Sequence, residues 1–413
     1  MDEIHIAQKL VYLKSSGTLV GYVDLSDAEN EMDQPPVATK VLAYMVRGIC
    51  TNLKEIVAAY TTSNLSKEDL YDRTWHVITK CEVGGVKILA VVCDGSATNR
   101  SFIQMHSPVT KLNSGVVHDT VNLASPTRTL YFISDGPHLL KTIRNALAKS
   151  GVHPKCKRKL TKGGQVLAWK TIERLFLEDH ENTWRQSFKL NAQHVYLNSY
   201  SCMNVKFAAQ VLSNTVGQDL QSRGWPGTSE LVIFILKCNN FFDNINGAHK
   251  NHGIRTANRR LSPFTKKDDQ RFDELINFVV YLRDWEKEVN SLRNLKKTQK
   301  KKLLLPHQTV DGIEMTVNSF IAVMKFMLDA GAEYVNGRAL CQDPLEQYFG
   351  KQRASLGGSN NPTVQQFFDT DNKIKTHRDM NVRRGRGNTE ATNSSMEISD
   401  EPLPKRPRCI KKT

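Results

Sequence analysis

No pair of cysteines in the 413 residues has the close spacing of a zinc site; the eight stand scattered at 50, 81, 93, 156, 202, 238, 341 and 409. That excludes a zinc ribbon and a small disulfide scaffold, and predicts reduced thiols in the cytosol or nucleus. No run of about eighteen apolar residues occurs, so no membrane-spanning helix is expected. The opening MDEIHIAQKL is acidic and polar, unlike a secretory signal. A phosphate-binding loop of the G-x-x-x-x-G-K-[ST] kind is missing too. So is any internal repeat. Acids are scarce: 42 Asp and Glu face 57 Lys and Arg, for a net charge of +15.

That imbalance predicts a polyanionic partner, because unpaired lysines and arginines attract phosphates. Its distribution sharpens the point. Between Lys141 and Arg174 ten basic residues meet one acid, Glu173. A second run, KKTQKKK, spans 296–302, and a third, PKRPRCIKK, spans 404–412. The first two read as phosphate-holding faces of a folded surface. The third reads as a nuclear localisation signal on a disordered basic tail, 377–413, which is rich in Arg, Gly, Asn, Ser and Pro. The expected location is therefore the nucleus.

The first 150 residues read as α/β. GTLVGYVDL (17–25), VATKVLAYMVRGIC (37–50) and IVAAYTT (56–62) have strand character. SKEDLYDRTWHVITKCEVGG (66–85) is a helix with a serine cap and early acids. VKILAVV (86–92) is a buried central strand, and RTLYFISD (128–135) is another. GPHLLKTIRNALAKSG then forms a helix closed by Gly151. From 151 to 335 the apolar residues recur at three and four, so 203–216, 229–245, 270–289 and 311–331 are helices.

Three of these strands end on an acid, the last at Asp135. Asp24 closes the first and Asp94 the fourth, and adjacent parallel strands would bring them to one sheet edge. A third acid, Glu346, lies in the first turn of a helix opened by Pro344 in DPLEQYFGKQR. Three converging carboxylates repel one another unless a cation holds them, and hard oxygen donors suit Mg2+ or Mn2+. Two such ions can activate water and stabilise a leaving oxygen in phosphodiester chemistry. In CDGSATNRSF, Gly95 would then permit close packing and the small polar residues would start a helix. An aspartate at a strand end also caps helices and forms Asx turns, and that reading stays open.

GYVDL, CDGSATNRSF, SDGPHLLKTIRNAL, LNSYSCMNVKFAAQVLS, FFDNIN and QDPLEQYFGKQR with NNPTVQQF together resemble P-element-type transposases, including the THAP domain-containing protein 9 group. The likeness runs in order from about residue 2 to 370. It implies an RNase H-like catalytic domain in two parts, 1–150 and 336–376, interrupted by a mostly helical GTP-binding insertion at 151–335. It places the catalytic and metal-binding acids on Asp24, Asp94 and Glu346, with Asp2 as a second candidate for the first. Asp135 could support the site, and His138 reads as a structural histidine. The nucleotide contacts fall on Lys189, Val205, Ser213, Asp243, Asn246 and Asp343. A carboxylate accepting two guanine N–H groups would select G over A, and a lysine would neutralise phosphate. On pattern alone Asp243 and Asn246 are a helix C-terminal turn.

Members of this family usually begin with a zinc-coordinating THAP domain and a coiled coil. The Cys/His spacing such a domain needs does not occur here. The usual D-P-P-H-L also reads Asp135-Gly136-Pro137-His138-Leu139 in this chain. The leading expectation is a DDE-type transposase core that cuts DNA and joins strands, with Mg2+ or Mn2+ and with GTP as an assembly cofactor. The rival is a catalytically inactive or domesticated DNA- and GTP-binding protein. A guanine-nucleotide hydrolase is weaker, for want of a phosphate loop. The expected partners are transposon-end and target DNA and GTP, with homo-oligomers compatible.

Overall fold

Ile4 and Ile6 are two residues apart, the spacing that puts side chains on one face of an extended chain, and both are buried. The computed structural model describes residues 1–24, 35–357 and 361–382. In it Ile4 lies in a central strand, β1 (Asp2–His5). A peripheral hairpin follows, β2 (Val11–Leu13) with β3 (Thr18–Val20). β1 pairs antiparallel with β4 (Lys40–Arg47), and β4 with β5 (Lys54–Thr62). A second sheet has β6 (Ala90–Cys93) parallel to β8 (Thr129–Ser134), with β7 (Asp119–Val121) antiparallel on the far side. The two sheets meet where the Met1 nitrogen donates to the Val92 carbonyl at 2.9 Å. The resulting order across the molecule is β5-β4-β1-β6-β8-β7.

Alternation along the strands assigns the two faces. Leu42 and Tyr44 of β4, Val91 and Cys93 of β6, and Leu130 and Phe132 of β8 pack against α1 (Lys67–Val83) and α2 (Ala97–Gln104). Val41 and Ala43 face the opposite way. α1 starts as its sequence predicts, with Ser66 and Asp69 in a reciprocal capping box. α3 (Gly136–Ala148) follows β8 and ends at a Lys149 cap, before Gly151. Gly151 therefore does not close it.

Beyond a small hairpin, β9 (Thr161–Lys162) with β10 (Gln165–Val166), the chain is helical. α4 (Trp169–His180), α5 (Ala192–Val195), α6 (Ser199–Met203), α7 (Val205–Val211) and α8 (Asn214–Arg223) come first. The expected helix at 203–216 is thus broken, because Asn204 and Ser213 both act as N-caps. α9 (Ser229–Ile245), α10 (His252–Arg255), α11 (Gln270–Ser291), α12 (Lys297–Leu303) and α13 (His307–Asp329) follow.

α13 is buried on most sides and packs against β8. Its Thr316 hydroxyl bonds both the amide and the carbonyl of Ser134 in β8. Thus the last helix of the expected insertion packs on the sheet itself. A 3-10 turn, Gly337–Leu340, leads to α14 (Asp343–Ala354) and α15 (Val364–Val382). Leu345, Tyr348, Phe349 and Phe367 pack under Ile4, Val41 and Ala43. Helices thus cover both faces, with α1 and α2 on one side and α3, α13, α14 and α15 on the other. The tail from 383 and its basic run at 404–412 lie outside the described residues.

Candidate active site and nucleotide site

β6 ends in Cys93, and Asp94 emerges at its C-terminal edge. Its Oδ1 accepts from the Ser96 amide at 2.9 Å and from Asn99 Nδ2 at 2.6 Å. Ser96 then caps α2. One carboxylate oxygen thus builds the turn, while among the described residues no hydrogen bond uses Oδ2. A Cβ at Gly95 would meet open space, so close packing is not what that glycine provides.

Asp2 of β1 is the acid beside Asp94. Both line a polar cavity of about 250 Å3 between β1 and the start of α2, with Glu3, Lys40 and Asn99. Burial raises the pKa of Asp2, and the Asp94 charge adds to that rise. Asp24 is not in this group. Its amide donates to the Thr61 carbonyl at 3.0 Å, its Oδ2 accepts from the Thr61 amide at 2.5 Å, and Arg73 binds its carbonyl. That puts it on the outer edge of β5, with β4 and β5 between it and β1. At about 4.8 Å per strand, the separation from Asp2 is on the order of 10 Å or more. The cause lies in burial. Leu19 in β3 is 52% exposed, so residues 17–24 lie at the rim, whereas Ile4 at 0% marks a central strand.

Glu346 sits in the first turn of α14, as expected. Its Oε1 lies 3.7 Å from His138 Nδ1, which is 2.8 Å from Asp135 Oδ2. Asp135 is 1% exposed and caps α3 through the His138 amide. Its other oxygen accepts from the Gln342 amide at 2.8 Å, and Gln342 Nε2 donates to the Met1 carbonyl at 2.6 Å. One buried carboxylate therefore ties together the start of α3, the start of α14 and β1. Burial opposes the His138 imidazolium, but the Asp135 bond and charge outweigh it and hold its pKa above the ordinary histidine value. Partial burial raises the Glu346 carboxyl, with the Asp135, Asp343 and Asp2 charges adding and His138 opposing. Burial lowers the Lys141 ammonium against the pull of Glu346, Asp135, Asp94 and Asp2.

Asp2, Asp94 and Glu346 thus share one electrostatic neighbourhood on three different elements. Their chemistry fits a hard divalent cation: oxygen donors that disfavour one another's charge. As arranged, no group of three or more His, Cys, Asp or Glu among the described residues converges closely enough to hold an ion. His138 and Lys141 supply the neighbouring positive charge instead.

The expected nucleotide contacts gather only in part. Asp243, on the last turn of α9, accepts from Asn239 Nδ2 at 2.9 Å and Asn258 Nδ2 at 2.8 Å, both on Oδ2. Burial raises its pKa. Asn239 Oδ1 in turn accepts from the Asn214 amide, next to Ser213, the cap of α8. Asn246 is the C-cap of α9, the turn its pattern predicts. Beyond it the Gly247 carbonyl accepts from the Arg338 amide at 2.9 Å, and the Arg338 side chain pairs with Asp343. Gly337 makes this approach possible, since a Cβ there would lie 2.8 Å from the Ile245 carbonyl. Ser213, Asp243, Asn246 and Asp343 are therefore linked by short bonded paths. Val205 opens α7 without joining them, and Lys189 is exposed with its Nζ over the Phe188 ring.

Three models of one family match the chain: TNP-like, RNase H N-terminal domain at residues 1–107; TNP-like, GTP-binding insertion domain at 137–256; and TNP-like, RNase H C-terminal domain at 339–369. The chain belongs to the TNP-like, P-element transposase-like family. It is 24% identical over 375 residues to the Transposable element P transposase of Drosophila melanogaster, covering 89% of this chain and 45% of that protein. The chain thus spans about half the length of that relative. Its fold matches the Drosophila P element transposase strand transfer complex with a TM-score of 0.71 at 22% identity, over 91% of this chain and 76% of that one.

The TNP-like architecture, an RNase H-like fold in N- and C-terminal parts with a GTP-binding insertion between them, agrees with the expected fold class. Pattern reading of this TNP-like chain missed the residues that position others. Asn239, Asn258 and Arg338 lie outside every motif, and Gln342 opens one without a role of its own. They act through partners distant in sequence, so no spacing rule finds them.

Proposed function

We propose that this chain is a transposase core that cleaves DNA and joins strands, with Asp2, Asp94 and Glu346 as its metal-binding acids. The observation that carries the reading is the approach of these three carboxylates, from β1, the end of β6 and α14, in an RNase H-like fold. In this reading Asp2 takes the place that sequence spacing gave to Asp24. A bound Mg2+ or Mn2+ supplies the charge that lets water or a 3′-hydroxyl attack phosphorus. Asp94 is aimed by Asn99 and Ser96, which leave its second oxygen free for a ligand. Asp135, through Gln342 and His138, fixes β1 relative to α14. GTP occupies the region of Asp243, Ser213, Asn246 and Asp343. Asp243 Oδ1, which accepts no hydrogen bond among the described residues, would accept from guanine N–H groups, and the nucleotide would serve assembly. Lys189 and Val205 are added to this site by the family likeness alone, and the nucleus is where the core would act.

The test is nicking and strand transfer with purified protein, Mg2+ or Mn2+, GTP, a supercoiled plasmid and pre-cleaved end DNA. Wild-type product that vanishes in Asp94→Asn supports the reading. DNA and GTP bound equally by both, with no product from either, would establish the inactive binding protein instead. The observation favouring that rival is the absence of a preformed three-carboxylate ion site among the described residues.

A further inference from the structure

Two basic runs, far apart in sequence, are stitched together in the fold. The Lys159 amide donates to the Lys302 carbonyl at 2.9 Å. Arg158 Nη1 donates to the carbonyls of Lys301 and Leu304 at 3.0 and 2.7 Å. The 152–159 segment therefore lies alongside α12. It presents Lys155, Lys157 and Lys159 beside Lys297, Lys301 and Lys302, all six exposed.

These six charges are uncompensated. Among the described residues none of them forms an ion pair, whereas bases elsewhere on the surface stand against acids: Lys250 on Glu333, Lys267 on Asp329, Arg174 on Glu178. Like charges gathered without acids repel, and a polyanion relieves that repulsion. The composition of the face narrows the ligand. Residues 152–159 and 296–304 contain no Phe, Tyr or Trp. Single-strand binding commonly uses aromatic stacking, so the face lacks its usual platform. Arg158, the one guanidinium of these segments and the group best suited to bidentate base reading, is engaged on carbonyls. Ammonium point charge dominates the face and suits phosphate, and phosphate contacts carry no sequence information.

Position supplies the other half. α3 begins at the carboxylate site with His138 and ends at Lys149, whose carbonyl accepts from the Arg158 amide at 3.0 Å. At 1.5 Å per residue that path is about 16 Å. Along a duplex, at 3.4 Å per base pair, it corresponds to about five base pairs.

We propose that the face formed by residues 152–159 and α12 is a sequence-independent docking surface for the backbone of duplex DNA, gripping it about five base pairs from the carboxylates. The inference rests on reading those carboxylates as a DNA-processing site.

The test uses the full chain and a labelled duplex of arbitrary sequence, with binding followed by anisotropy over a KCl series. The variant is Lys157→Gln, Lys159→Gln, Lys301→Gln and Lys302→Gln combined. Lys250→Gln with Lys267→Gln is the control, and GTP binding reports that each variant is folded. If all four lysines contact phosphate, the slope of log K against log salt becomes shallower by about 3–4. Affinity falls at least about tenfold, while the control is unchanged. An unchanged slope and affinity in the fourfold variant overturns the surface and leaves the DNA-processing reading standing. An equal loss on an unstructured single strand overturns the duplex assignment. A wild-type chain that binds no duplex overturns both.

Discussion

Asp135→Asn is the most informative single substitution, because it is nearly isosteric and removes one acceptor from a buried junction. The native carboxylate satisfies three N–H groups: the amide and Nδ1 of His138 on Oδ2, and the Gln342 amide on Oδ1. An asparagine has one oxygen and one NH2. If the oxygen keeps the α3 cap, the NH2 faces the buried Gln342 amide, donor against donor. An unsatisfied buried donor costs about 1–3 kcal/mol, and losing charge-assisted acceptance places this case toward the upper end. At about 1 °C per kcal/mol for a chain of this size, melting should fall by about 2–3 °C.

The loss should depend on pH. Asp135 holds the His138 pKa above its unfolded value, so the stability it confers is fully present below about pH 6.5, the unfolded value. It is lost as pH rises through the folded pKa. The gap between wild type and Asp135→Asn should therefore be wider at pH 6 than at pH 8. Thermal melts in chelator at both pH values measure it. Melting within about 1 °C of wild type at both would refute the junction, since the bonds would then carry no net stability.

Other substitutions separate the remaining assignments. Asp2→Asn should abolish metal-dependent nicking while Asp24→Asn retains it, because Asp24 only binds the Thr61 amide at the sheet edge; the opposite result restores Asp24. Asp243→Ala should weaken GTP binding at least about tenfold, from the loss of charge-assisted bonds of about 1.5–3 kcal/mol, as read by calorimetry. Lys189→Ala should cost less, since that side chain is exposed and forms no ion pair among the described residues; a larger loss there would move the phosphate site toward it. Glu346→Gln should raise the melting temperature of the metal-free protein at pH 7 by a small amount, discounted because the side chain is 45% exposed. Its raised pKa means the fold disfavours the ionised form, so the gain should shrink as pH falls. A drop in melting temperature at pH 7 would count against mutual repulsion.

Much of the architecture was legible because it is written in local pattern. The capping box of α1, the helix at 229–245, and the position of Glu346 behind Pro344 all follow from residues within one turn of each other. Asp94 was legible as well, since a dense apolar run ending in Asp-Gly-Ser marks a strand end and a helix start. Which strand is central was harder. DEIHI gives only two inward apolar residues, whereas GTLVGYVDL gives a longer run of strand formers, and length favoured the segment that folds at the rim. What separates them is burial by α14 and α15, which lie more than three hundred residues away.

Sequence by itself determined that the chain is basic, contains an α/β part and a long helical part, and ends strands on acids. The family motifs added the RNase H-like and GTP-binding assignments. Only the tertiary structure decided that Asp2 is the acid beside Asp94, that Asp135 ties β1 to α14, and that two distant lysine runs form one face. The physical reason is the same in each case. Helix caps and apolar periodicity act over a few residues, while charge clusters and sheet neighbours arise from contacts between segments whose separation along the chain carries no signal.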